Sequence, residues 1–169
     1  MRLFISIGFD EKTKDSLMGV MENLKKCSRK GMFFDRENLR LNFLLLHEID
    51  DVSIIKNAVE KIKIEPFNVK FTRVDRSRRE GGDIYWMMAE NNPVLNRIYS
   101  EIKGLADNFE YEYEKKPFKA RVQLGNKVIA RPNFELEDFE GFVKNISVVK
   151  YVQAKGIDIY KELYCKEIS

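Results

Sequence analysis

The sequence predicts an α+β fold, with antiparallel sheets around a central cleft and helices on the outside. Three observations lead there. Strand-like and helix-like stretches are interspersed along all 169 residues with no Pro/Ser/Gly-rich linker. Their order has a rough halfway symmetry, each half holding a helix followed by a strand with an alternating polar face. Two such strands, 81 residues apart, carry the same pattern: Arg40-x-Asn42 and Arg121-x-Gln123. One domain over residues 1-169, with two pseudo-symmetric lobes, is the simplest closure.

Residues Arg2 to Phe9 read as a strand, with Leu3, Ile5 and Ile7 on one face and Phe4 and Phe9 pointing to burial on both. Asp10 is placed to cap a helix to about Lys26, in which Leu17, Val20, Met21 and Leu24 recur at helical spacing. An extended piece at Met32 to Phe34 and a turn at Asp35 to Asn38 lead into a strand over Leu39 to Leu46. Ile54, Ile55, Val59 and Ile62 give Val52 to Ile64 a helical stripe. Phe67 to Val74 alternates as a strand, Asp75 to Asp83 with Gly81-Gly82 reads as a loop, and Ile84 to Ala89 as a buried strand with Trp86 in the core.

Pro93 opens a third helix, because the first turn does not need its missing N–H. Val94, Leu95, Ile98, Ile102 and Leu105 line its inner face. Lys119 to Leu124 is a strand, extended by Val128 to Ala130 beyond a Gly125-Asn126 turn. Phe142 to Val152 and Ile157 to Cys165 form a closing hairpin about Gly156.

Composition excludes several classes. With 44% hydrophobic and 34% charged residues the chain can build a core and is not disordered or low-complexity. No run approaches the roughly 18 apolar residues of a membrane span. The first residues become charged too soon for a signal peptide. No membrane partner and a cytoplasmic location are therefore expected. Cys27 and Cys165 are far apart and belong to no metal or disulfide motif, which fits a reducing compartment. His47 is the only histidine. Within this chain that excludes any mechanism needing two histidines, and no metal or cofactor is expected. The net charge of +3 permits phosphate binding without requiring it.

Alternation places Arg40 and Asn42 on one strand face, and Arg121 and Gln123 on another. Two amphipathic strands with solvated faces would read the same way. The segments around them carry more. Arg36-Glu37-Asn38-Leu39-Arg40-Leu41-Asn42-Phe43-Leu44 resembles the first signature of the 2H phosphoesterases. Within that superfamily it is most similar to the bacterial LigT-like RNA 2′,3′-cyclic phosphodiesterases, or 2′-5′ RNA ligases, where the strand usually reads Glu-Asn-Leu/Phe-His-Leu-Thr-Leu. Lys116-Pro117-Phe118-Lys119-Ala120-Arg121-Val122-Gln123-Leu124-Gly125 resembles the second signature, usually Phe-x-Pro-His-x-Thr-Leu-Gly. The opening strand, Gly81-Gly82-Asp83-Ile84-Tyr85-Trp86 and the closing hairpin resemble further family elements in order and spacing.

That resemblance implies a bilobed 2H-phosphoesterase-like fold. It implies chemistry in which one histidine acts as general base and the other as general acid across a 2′,3′-cyclic phosphate, with threonine hydroxyls on its oxygens. Here both histidine positions are arginine, Arg40 and Arg121, and both threonine positions are amides, Asn42 and Gln123. Histidine can take and give a proton near neutral pH. Arginine stays charged and only donates. No catalytic role therefore carries over to Arg40 or Arg121.

Two guanidiniums facing across a cleft at roughly 6 Å would repel by about 3 kcal/mol at an effective dielectric of about 20. A phosphate would relieve this, since arginine offers it planar paired donors. Arg40, Asn42, Arg121 and Gln123 are accordingly the candidate phosphate ligands, and an RNA end or nucleotide the expected partner of a monomer. A decayed site, and residual catalysis through other residues, remain the competing readings.

His47 reads as a strand-end surface residue facing away from Arg40, the other reading being a relocated base. Lys70, Arg73, Arg76, Arg78 and Arg79 crowd ten residues against Asp75 alone, as a solvated basic loop or as an RNA backbone contact, with Arg76, Arg78 and Arg79 the candidates. Tyr111, Tyr113 and Phe118 among glutamates read as an edge strand or a base-stacking surface. Glu135, Glu137, Asp138 and Glu140 form an acidic surface patch without metal-ligand spacing.

Overall fold

In the computed structural model, residues 1–154 and 157–168 are described. The predicted hairpin turn at Gly156 lies outside them. The strands are β1 (Arg2–Phe9), β2 (Ser28–Phe33), β3 (Leu41–His47), β4 (Asn68–Ser77), β5 (Asp83–Ala89), β6 (Glu112–Tyr113), β7 (Arg121–Ala130), β8 (Phe139–Ala154) and β9 (Ile157–Glu167). The helices are α1 (Glu11–Lys26), α2 (Val52–Glu60) and α3 (Pro93–Asn108).

Each helix starts where a side chain satisfies its free N–H groups. Asp10 accepts from the Thr13 amide at 2.9 Å, Asp51 from Ser53, and Asn92 from Val94 and Leu95. The apolar stripes then turn inward. Leu17, Val20, Met21 and Leu24 of α1 are buried, as are Leu95, Ile98 and Ile102 of α3. α2 stops at Glu60, short of Ile64, because Lys166 of β9 donates to the carbonyls of Glu60 at 2.6 Å and Ile62 at 2.8 Å. A cation thus takes the Glu60 carbonyl that the Ile64 amide would have used in a longer helix, and the Ile62 carbonyl, which Pro66 has no N–H to meet.

All strand pairings are antiparallel. Their order is β2-β7-β5-β4-β8-β1-β3-β6, with β9 on β8. β3 also meets β7 at Leu41 and Val122, so six strands form a closed circuit. The long β8 makes this possible. Its first residues pair with β4, and from Val143 onward it pairs with β1. The fold is the expected α+β class.

Several boundaries differ from expectation. β7 runs unbroken through Gly125 and Asn126, where a turn was expected. Gly125 packs against β2, where a Cβ would stand 3.0 Å from the Met32 carbonyl, so glycine serves close strand approach there rather than a turn. β2 is longer than the sequence signals, because it pairs with β7 as far back as Ser28. β4 continues through Asp75 and Arg76 to Ser77, held by pairing with β5 up to Ile84. Glu112–Tyr113 is indeed an edge strand, and the Tyr113 hydroxyl donates to Asp107 at 2.6 Å.

The loop between β4 and β5 closes on Gly82, whose φ is +135°. A Cβ there would lie 2.5 Å from the Lys127 carbonyl carbon. Gly82→Ala is therefore expected to cost about 2–3 kcal/mol, combining a left-handed backbone with a backbone clash. Urea unfolding measures it, and a loss below about 0.5 kcal/mol would mean that the loop is not anchored on β7.

Candidate functional site

Leu41 and Val122 are fully buried, and they pair across the antiparallel bridge between β3 and β7. Their neighbours on each strand must therefore face the other way. That side is a cleft of about 250 Å³, and Arg40, Asn42, Arg121 and Gln123 all line it. In an antiparallel pair the residue before one partner opposes the residue after the other. Arg40 thus stands opposite Gln123 and Arg121 opposite Asn42, with the arginines on diagonal corners. The confrontation of guanidiniums expected from the sequence does not occur.

The two arginines live in different surroundings. Arg40 is held inward, with 14% of its side chain exposed. Its Nε donates to Ser6 Oγ at 2.8 Å and its Nη2 to Asn145 Oδ1 at 2.8 Å. Its Nη1 lies 3.6 Å from Glu162 Oε2, which also accepts from Ser147 Oγ at 2.9 Å. Ser6 and Ser147 are fully buried and face each other across β1 and β8. Gly8 makes room, since a Cβ there would meet Asn145 Oδ1 at 2.6 Å and Arg40 Nη1 at 2.7 Å. Burial pulls the Arg40 pKa below its ordinary value, with Glu162 foremost in opposing the shift.

Arg121 has no ion pair or hydrogen bond among the described residues. Its guanidinium lies 3.7 Å from the centre of the Trp86 ring. Trp86 opposes Gln123 in register, so Arg121 reaches it diagonally. The indole N–H donates to Ser77 Oγ at 3.0 Å. Burial lowers the Arg121 pKa first, the Arg79 charge lowers it further, and Asp75 opposes. Trp86 is therefore half-buried in the cleft wall, a correction to its placement in the core.

The rest of the wall is aromatic. Phe118 stacks between Phe43 and Tyr99 at 5.5 and 4.9 Å, and Tyr160 packs on Tyr151, Phe34 and Phe4. Phe4, Phe118 and Tyr160 line the cleft, with Glu114, Lys116 and Lys119 on the segment before β7. Sequence reasoning missed Ser6, Asn145, Ser147, Glu162 and Tyr160. The signal for the serines was present, since each interrupts an apolar run (Ile5-Ser6-Ile7 and Ile146-Ser147-Val148).

His47 ends β3, as the sequence reading has it, but it faces the other way. A bulge between Ile5 and Ser6 makes Phe4 oppose Leu45 and Ser6 oppose Asn42, so Leu45 and Asn42 share a face three residues apart. His47 consequently shares the face of Asn42. With one of the five intervening steps taken up by the bulge, at roughly 3.3 Å per residue it stands about 13 Å beyond it, outside the cleft lining.

The basic cluster is divided and partly neutralised. Lys70 pairs with Glu90 and Asp138, Arg73 with Asp75, and Arg76 with Asp83. Arg76 opposes Tyr85, on the face away from Trp86, and lines a separate cavity of about 580 Å³. That cavity is larger than the cleft, but the charges of Arg73 and Arg76 in its wall are already paired. Arg78 and Arg79 have no acidic partner among the described residues. Among the described residues no group of acidic, histidine or cysteine side chains is arranged to hold a metal ion. Among the described residues no helix is long and apolar enough to cross a membrane.

The asymmetry sets an expected outcome for stability. Arg40→Ala should cost about 2–3 kcal/mol, because it strips the partners of Ser6 and Asn145 inside the fold. Arg121→Ala should cost about 1 kcal/mol, the scale of a cation–aromatic contact at a half-buried site. Parallel urea titrations decide, and equal losses would contradict the difference in environment.

No family model matches the chain. It is 25% identical over 131 residues to an RNA 2′,3′-cyclic phosphodiesterase of Thermotoga maritima, spanning 74% of this chain and 69% of the relative. Two solved structures superpose on nearly all of it. TT0787 of Thermus thermophilus has a TM-score of 0.77 at 17% identity, covering 99% of this chain and 98% of that one. Apo LigT of Escherichia coli has a TM-score of 0.77 at 15% identity, covering 99% and 97%. LigT has also been crystallised with 3′-AMP and with phosphate. The chain has the fold of the LigT-like 2H phosphoesterases and is similar in sequence to an RNA 2′,3′-cyclic phosphodiesterase.

Proposed function

We propose that the protein is a cyclic phosphodiesterase/2′-5′ RNA ligase relative with a degenerate active site, whose cleft binds a phosphate-bearing RNA end or nucleotide without efficient hydrolysis. The observation that carries this reading is Arg121, a cation without an acidic partner among the described residues, fixed on Trp86 at the floor of an aromatic-walled cleft. Its fork of donors suits a phosphate, and the amides of Gln123 and Asn42 beside it add donors of their own. Phe118, Tyr160 and Phe4 offer ring faces to a base. The complexes of LigT with 3′-AMP and phosphate, a protein of the same fold, support the same ligand chemistry.

Poor turnover follows from the proton-transfer groups available. Cyclic phosphate hydrolysis needs a base for water and an acid for the leaving oxygen. Arg40 and Arg121 can stabilise charge but not exchange a proton near neutral pH. Burial, then Asp158 and Tyr151, push the Tyr160 hydroxyl above its ordinary pKa, so it stays protonated. Glu162 is engaged by Arg40 and Ser147. His47 stands too far along β3. Arg40 itself enters this reading as a cleft-lining cation whose three donor groups face protein partners, which shifts the ligand-binding role toward Arg121.

Purified protein should show no more than trace hydrolysis of a 2′,3′-cyclic nucleotide. Robust turnover would favour the active-enzyme reading through non-histidine residues. A short RNA with a terminal phosphate should bind more tightly than the same RNA without it, and less tightly as salt rises. Arg121→Ala should weaken it by about 1.5–3 kcal/mol, the scale of hydrogen bonds to a charged group. Fluorescence anisotropy reads both. Equal affinity for the two RNA ends, unchanged by Arg121→Ala, would leave a decayed cleft on a partner-binding scaffold as the better description.

A further inference from the structure

The cavity of about 580 Å³ lies across β4 and β5 from the cleft. Trp86, opposite Asp75 in register, lines the cleft, and Tyr85, opposite Arg76, lines the cavity. The segment between β7 and β8 forms its roof. In the sheet order β5 and β4 stand between those two strands, so the segment must cross both. It is tied down at its two ends. The Arg131 amide donates to the Cys27 carbonyl at 3.1 Å and the Cys27 thiol to Asn133 Oδ1 at 2.9 Å, while Asp138 pairs with Lys70 at 3.6 Å. Between these ties it makes no backbone hydrogen bond among the described residues. Phe134 and Leu136 are half-buried and pack toward the core, and Glu135 and Glu137 are exposed. The span thus holds a space open instead of closing onto the sheet.

Two features make that space a site. The first is an unmet hydroxyl. Tyr85 and Tyr113 are both buried, at 2% and 8% exposure. A buried tyrosine hydroxyl normally finds a partner, and that of Tyr113 has Asp107. That of Tyr85 has none among the described residues, where no side-chain polar atom is sealed off without a partner. The hydroxyl is therefore the part of Tyr85 that reaches the cavity. The second feature is charge. Arg73, Arg76 and Arg131 stand against the single carboxylate of Asp75 in the lining. Arg131 has no acidic partner among the described residues. The pairs of Arg76 with Asp83 at 3.4 Å and of Arg73 with Asp75 at 3.9 Å are long and their arginines exposed, so they hold those guanidiniums weakly.

We infer that this cavity is a second ligand site, for an apolar acid: a carboxylate or phosphate monoester carried on a hydrocarbon or aromatic body. Guanidiniums offer such a head planar paired donors, and the Tyr85 hydroxyl adds a neutral one. Val74, Phe134 and Leu136 supply the apolar wall for the body. A mostly apolar lining with a few placed polar groups, at a volume well inside the usual range, is what small-ligand sites present. The site does not depend on phosphate binding at Arg121, which lies on the other face of the sheet.

The probe is anilinonaphthalene sulfonate, an aromatic anion whose fluorescence rises when it leaves water. It is titrated into the full chain and then displaced with octanoate, octyl phosphate or octanol. Both acids should displace it at concentrations at least about tenfold below that of octanol, the scale of hydrogen bonds to a charged group. The stronger of the two acids assigns the head group. Tyr85→Phe keeps the ring in the core and should weaken the probe about three- to tenfold, the scale of one hydrogen bond. Arg131→Ala, at an exposed position, should weaken it by about tenfold or more. Arg121→Ala, in the cleft, should leave it unchanged. Octanol displacing the probe as well as the acids do would overturn the inference, because apolar contact alone would then explain binding. So would a probe lost in Arg121→Ala but kept in Arg131→Ala and Tyr85→Phe, which would place it in the cleft, or a probe that does not bind at all. None of these outcomes bears on phosphate binding at Arg121, which is read with RNA ends.

Discussion

The bridge between Leu41 and Val122 is the constraint on which the rest of the site depends. It closes the circuit of strands, and it brings together two segments 81 residues apart in the chain. Because both bridging side chains are fully buried, the pleat leaves their neighbours no choice of face. Four polar side chains are thereby committed to one small floor. The antiparallel sense then decides which of them meet. Each arginine is set against an amide, so two like charges share a cleft without confronting each other.

Similar strands do not make similar surroundings. Arg40 sits where β1, β8 and β9 converge, and their side chains supply a hydroxyl, an amide and a carboxylate to it. A buried guanidinium is tolerable only when its donors are met, and these are. Arg121 sits where β7 runs beside β5, and meets the face of an indole instead. An aromatic face accepts a cation without using up its hydrogen-bonding groups. One half of the floor is satisfied from within, and the other retains its capacity for an external anion.

Much of this was legible in the sequence, because the relevant signals are local. The apolar stripes, the caps at Asp10 and Pro93, and the alternation at Arg40-x-Asn42 and Arg121-x-Gln123 depend on a few residues each. What stayed hidden depends on pairing partners. The bulge opposite Ile5 and Ser6 reverses the side on which His47 lies, and no residue type announces it. Gly125 looks like a turn until β2 is laid against it. Trp86 reads as core because its strand is apolar, and only the register with β7 exposes it to the cleft. The partners of Arg40 come from positions 6, 145 and 162, a convergence that only the assembled sheet creates.

The enclosure of Arg40 also makes amino-acid changes there order-dependent. Ser6, Asn145 and Glu162 are arranged for a long side chain with three separate donor groups, and Gly8 is small to let it pass. An imidazole is shorter and has two ring nitrogens. Placed alone at position 40, it would leave an acceptor inside the sheet unmet and a gap beside Gly8. Placed after the amide and the carboxylate have been replaced, it would meet a different cavity altogether. The same substitution thus has consequences that depend on what precedes it. Any route from this cleft to one with a proton-transfer group at position 40 runs through the back of the sheet before it reaches the floor.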